Sequence, residues 1–120
     1  IISRRGQKFT TRKHVAAYRH GNLLPQGQLH PRIASKAHAR FMRGEYDDAV
    51  FSAFKEVEVA VREASGLQDD IGVPLMRKAF DPKLGPLAEK TAPVAEQESL
   101  AHLFAGAIAL YKNNSFTSVI

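Results

Sequence analysis

The sequence predicts an all-α fold: a small bundle of helices behind a basic, loosely ordered N-terminal arm. Three observations carry this prediction. After residue 28, apolar residues recur at three- and four-residue spacings, as on amphipathic helices. No segment alternates apolar and polar residues over more than a few positions, as a half-buried strand does. There is also no internal repeat.

The elements follow in order. "IISRRGQKFTTRKHVAAYRHGNLLPQGQ", residues 1–28, is poor in large apolar side chains. It offers at most one short helix, around Thr11 to Arg19, before Gly21, and reads as an arm or linker with "NLLP" loosely docked. The patterned domain is expected over residues 29–120. Its first helix spans Pro31 to Arg43. Proline suits the first helical position, where its missing N–H leaves no bond unmade, and His30 is then the N-cap. Ile33, Ala37 and Phe41 share one face, and Gly44 follows as a C-terminal signal.

The second helix is the clearest. In "EYDDAVFSAFKEVEVAVREASG", Tyr46, Val50, Phe54, Val57 and Val61 share a face, flanked by Ala49, Ala53, Ala60 and Ala64. Asp47 and Asp48 complement the helix dipole in the first turn, and Gly66 ends the helix. Glu58 and Arg62 are read as an i,i+4 pair on the wet side, which leaves Val59 without an explanation. "LQDDIGVPLMRKAF" enters a short helix with Pro74 near its start and Leu75, Met76, Ala79 and Phe80 as apolar contacts. "DPKLGPLAEKTAP", with three prolines and a glycine, reads as an irregular loop. The last helix runs from Val94 or Ala95 to Lys112.

In that last helix, Leu100, Leu103, Phe104, Ala107, Ile108, Leu110 and Tyr111 cover one broad side at 100° per residue. Nothing charged appears from Leu103 to Tyr111, so burial all round is expected. The small residues Ala105, Gly106 and Ala109 on the second side predict close approach of another helix, from a second copy of the chain. A homodimer through these three residues is therefore expected.

Composition narrows the class. One domain of 120 residues with 44% hydrophobic content holds one modest core. With no cysteine, disulfides, thiolate metal sites and thiol nucleophiles are excluded, and a reducing cytoplasm is the expected location. The longest apolar stretch, Leu103 to Tyr111, is too short to span a bilayer, and no signal peptide is visible. The first residue is Ile rather than Met, so a piece of a longer chain is expected. The net charge of +5 is uneven: residues 1–44 hold ten Lys/Arg and no acid, while residues 45–120 hold seven Lys/Arg against twelve Asp/Glu. Such asymmetry predicts contact with RNA or DNA phosphates through Arg4, Arg5, Lys8, Arg12, Lys13 and Arg19.

Five histidines raise the question of a metal. Glu98 and His102 are i,i+4 but lack a third ligand, so no metal and no cofactor are expected. Glu56 and Glu58 point to different faces and form no acid–base pair. There is no Gly-rich phosphate loop, nucleophile elbow or His-Glu-x-x-His.

The order "LHP" at 29–31, "GEYDDAV" at 44–50 and "LFAGAIALYKN" at 103–113 resembles the bacterial Ymh family, an abortive-infection-like branch of the HEPN superfamily. The resemblance covers roughly Leu23 to Asn114. It implies a helical bundle that dimerises. In active members it also implies a metal-independent ribonuclease site, with Arg-Asn-Pro and then His. A cation there stabilises the phosphorane-like charge, and an imidazole moves the proton of the attacking 2′-OH. This chain departs at the decisive positions. Lys112 stands for the Arg, Asn113 matches, Asn114 replaces the Pro, and Thr117 or Ser118 stands for the His. Lys112 and Asn113 therefore mark a degenerate catalytic motif. His102, about 15 Å back along the helix axis, cannot replace the missing base.

The functional expectation is an HEPN-like domain of a bacterial defence or toxin-like system. It binds RNA or a cognate protein and lacks ribonuclease chemistry. An active endoribonuclease whose His lies elsewhere, and a plain dimerisation module without ligand, are the alternatives.

Overall fold

The computed structural model describes residues 12–21 and 24–113. Arg4, Arg5, Lys8, Asn114, Thr117 and Ser118 lie outside the described residues. All regular structure among the described residues is helical. The chain divides into two compact units, Ile1–Ala53 and Phe54–Ile120. This packing boundary falls inside the longest helix.

In the first unit, α1 spans Arg12–Gly21 and buries Ala17. A short 3₁₀ turn, Gln26–Gln28, precedes α2. Helix α2 occupies residues 31–42. It begins as an α-helix at Pro31–Ile33, widens into a π turn at Ala34–His38, and returns to α geometry at Ala39–Met42. His30 is the N-cap, its Nδ1 accepting the Arg32 N–H at 3.2 Å. This core is small-residue packing: Ala34, Ala37 and Ala49 are buried with Ala17. That explains why the pattern of large apolar side chains did not register α1 as packed. Gly44 has φ +80° and closes α2 with its N–H on the Phe41 carbonyl. Phe41 and Tyr46 meet edge to face across that turn, centroids 5.1 Å apart. Arg40 donates to the buried Ser52 hydroxyl, and His38 Nε2 lies 3.0 Å from the Leu24 carbonyl.

Helix α3, Tyr46–Ser65, runs through the boundary with the two acids in its first turn, and Gly66 at φ +76° ends it. The second unit adds α4, Gly72–Ala79, and α5, Val94–Ile108, which continues as a π turn at Ala109–Asn113. Leu75, Met76 and Ile108 are fully buried at its centre, with Val61, Ala79, Phe80 and Ala105 around them. Phe80 and Phe104 stack with centroids 4.3 Å apart, and Phe54 stacks on Tyr111 at 5.2 Å. Loop 81–93 is irregular, as its prolines require. Asp81 takes the Leu84 N–H on its side chain and the Gly85 N–H on its carbonyl, and Lys90 Nζ donates to the Pro82 and Lys83 carbonyls.

Two expectations about helix faces are corrected. Leu103 and Leu110 are 66% and 43% exposed and Gly106 is exposed, so α5 is not buried all round within its chain. Its buried line is instead Gln97, Ala105 and Ile108, with Ala101, Phe104 and Lys112 half-buried beside them. A run apolar over nine residues gives periodicity little to rank, and burial against α4 decides the rotation. The second correction concerns Glu58, which is only 4% exposed. It does not lie on a wet side. Val59 beside it is half-buried, which removes the difficulty of its placement.

Candidate functional site

Glu58 stands one turn after Phe54, three residues before Val61 and beside Val57. Together these four residues make the i, i+3, i+4, i+7 set of an inward helix face. An acid in such a position must be hydrogen-bonded or paired, and Glu58 is both. Its Oε2 accepts the Gly72 N–H at 2.6 Å, at the first residue of α4. Its Oε1 lies 3.3 Å from Arg62 Nη2 and 3.3 Å from Lys112 Nζ. One carboxylate therefore joins α3, the start of α4 and the π turn that closes the described chain.

Burial is the largest influence on the Glu58 carboxyl and raises its pKa. The Gly72 N–H, the Lys112 ammonium and the Arg62 guanidinium together outweigh burial, and hold the group below its ordinary value of 4.5. Glu58 is thus a carboxylate at neutral pH. With two cations on one anion, the cluster carries a net positive charge. Both cations are about one-fifth exposed, so water reaches them. Arg62 is held from a second side, its Nε donating to the Asp70 carbonyl at 3.0 Å, and Asp70 in turn pairs with Lys78 at 2.9 Å.

The placement of Lys112 follows from the π turn. This i→i+5 turn at Ala109–Asn113 inserts an extra residue into the last helical turn, a device frequent where a side chain must be re-aimed at a site. A family model described as "Protein of unknown function (Hypoth_ymh)" matches residues 27–116, which hold the whole cluster. The chain belongs to the Hypoth_Ymh family. No curated protein and no solved structure matches it.

The remaining expected residues of this Hypoth_Ymh chain fall as follows. Arg12, Lys13 and Arg19 are exposed on α1. Asn113 ends the π turn. Of the three residues expected at a dimer contact, Gly106 is exposed, Ala109 is half-buried and Ala105 is buried in the core of its own chain. Glu98 and His102 are both exposed, and among the described residues no three His, Cys, Asp or Glu side chains gather as a metal would require. No helix among the described residues is long and apolar enough to cross a membrane. Sequence reading named Lys112 but missed Glu58 and Gly72. The signal for Glu58 was present, an acid in an otherwise apolar i, i+3, i+4, i+7 set.

Proposed function

We propose that this chain is a non-cleaving, HEPN-like module that binds RNA in a bacterial defence or toxin-like system. The observation that carries the reading is the ion pair of Lys112 with buried Glu58. Lys112 occupies the position of the motif's Arg, and Glu58 already compensates part of its charge. A Lys cannot offer the planar two-pronged contact of Arg. The nearest imidazole in sequence is His102, ten residues upstream on α5. A phosphate can still be held there, while His102 stands too far back along α5 to serve a 2′-OH as base.

Binding is supported from the first unit, where ten Lys/Arg face no acid before Glu45 and Arg12, Lys13 and Arg19 are exposed on one short helix. Replacing these three by Gln weakens binding of labelled single-stranded RNA and flattens its salt dependence. Unchanged binding in that variant, or none by the parent at low salt, overturns the RNA reading and favours a protein partner. Incubating the same RNA with the chain, with and without EDTA, tests the absence of cleavage. Cleavage abolished by Lys112→Ala shows a live site. Cleavage gained only on combining Lys112→Arg, Asn114→Pro and Thr117→His supports a disabled one.

A further inference from the structure

Arg62 and Lys112 share a single oxygen of Glu58, each at 3.3 Å. Charge-assisted contacts between nitrogen and oxygen optimise at about 2.7–2.9 Å, so neither cation has its best partner. The other Glu58 oxygen is well engaged at 2.6 Å by the Gly72 N–H, which fixes the carboxylate in place. The Gly72 bond anchors one oxygen, so the carboxylate serves both cations through the other. Both cations are about one-fifth exposed. From this geometry we infer that Arg62 and Lys112 form a cradle for a phosphate group, with Glu58 as a built-in competitor that keeps its affinity low.

A phosphate monoester differs from the carboxylate in a way that matters here. It has three terminal oxygens, so each cation can receive its own short contact instead of sharing one. Glu58 opposes this ligand by like-charge repulsion and by holding part of each cation's charge. The fold has thus placed an anion beside the ligand's oxygens, and because its repulsion grows with ligand charge it narrows the advantage that two cations give a dianion. The inference rests on the reading of Lys112 as a phosphate-holding remnant and goes beyond it, because internal RNA phosphates are diesters with two free oxygens whereas the ligand class named here is a terminal phosphate monoester.

The probe is inorganic phosphate at low ionic strength, with chloride at matched ionic strength as control, followed by amide NMR. Glu58→Gln keeps an oxygen for the Gly72 N–H and removes the competing charge. It binds phosphate about tenfold or more tighter than the parent, the scale of one unit charge at close range in a partly solvated site. Adding Lys112→Met to Glu58→Gln removes the gain. In the parent the Gly72 amide is the reporter, because its acceptor belongs to the competitor. Its resonance shifts saturably with phosphate and not with chloride, a readout that needs no variant to fold. A static Gly72 amide at high phosphate, no gain in a folded Glu58→Gln, or a gain that survives Lys112→Met each overturns the inference. Arg12, Lys13 and Arg19 replaced by Gln leave phosphate binding at the cradle intact, so RNA binding through α1 fails or stands separately.

Discussion

Glu58 accepts the N–H of Gly72, fourteen residues along the chain, in a buried contact of 2.6 Å. The bond begins α4 with a side chain from α3, where no local residue caps that helix. Removing it distinguishes charge from hydrogen bonding. Glu58→Ala leaves an N–H and two cations without their shared acceptor, and destabilises by about 3 kcal/mol, as for a broken buried pair. Glu58→Gln keeps the cap and loses less. Lys112→Met loses least, because Arg62 and Gly72 still serve the carboxylate. Urea unfolding of the three variants checks the order Ala, Gln, Met, and an equal loss in all three contradicts it.

Acid weakens the second unit through the same group. The folded pKa of Glu58 lies below its ordinary 4.5, so its stabilisation is fully present above that pH. It is lost as pH falls through the depressed value. Glu45, beside Arg43, and Glu89, beside Thr91, are lowered too and act in the same direction. Glu58→Gln retains those two and lacks the first. The urea midpoint of the parent therefore falls more steeply than that of Glu58→Gln as pH drops from 4.5 through the depressed value. Parallel curves would remove Glu58 from the account.

The rotation of α5 has its own test. Ala105→Glu places an unpaired charge in the core beside Leu75 and Ile108, and the second unit loses its thermal transition. Leu103→Glu changes an exposed position and shifts stability by about 0.5 kcal/mol or less. Circular dichroism melts of both variants decide it, and the reverse pattern restores the face expected from periodicity.

Gly85 sits where a Cβ would lie 2.4 Å from the Asp81 nitrogen and 2.6 Å from the Ala79 carbonyl oxygen. Those are backbone atoms and cannot swing aside. Gly85→Ala forces the turn open, breaks the Gly85 N–H bond to Asp81, and destabilises by about 2 kcal/mol or more. Gly106→Ala, with nothing near its Cβ, instead gains up to about 1 kcal/mol in helix propensity. Thermal denaturation of the pair gives opposite signs.

Local signals carried the helices well. Pro31, Gly44, Gly66 and Pro74 act within a turn of their own position, and the helices begin and end beside them. The π turns at Ala34–His38 and Ala109–Asn113 were not legible, because inserting one residue into a helix leaves composition unchanged. The candidate site was legible at Lys112 alone. Its carboxylate comes from another helix, and only tertiary packing brings the two residues together. Glu58 also had an obvious local partner in Arg62, and an i,i+4 pair is ordinarily read as a surface feature. That local sufficiency concealed the buried role.

The same doubling of cations has a consequence for vectorial synthesis. A chain made from its N-terminus completes α3 well before Lys112 leaves the ribosome, and burial of Glu58 without a counter-charge would then be strongly resisted. Arg62 is synthesised four residues later and is available as soon as one turn of helix forms. It neutralises the acid from within α3, and Lys112 adds a second cation from the π turn. The π turn that holds Lys112 therefore adds to a charge pair that α3 makes on its own.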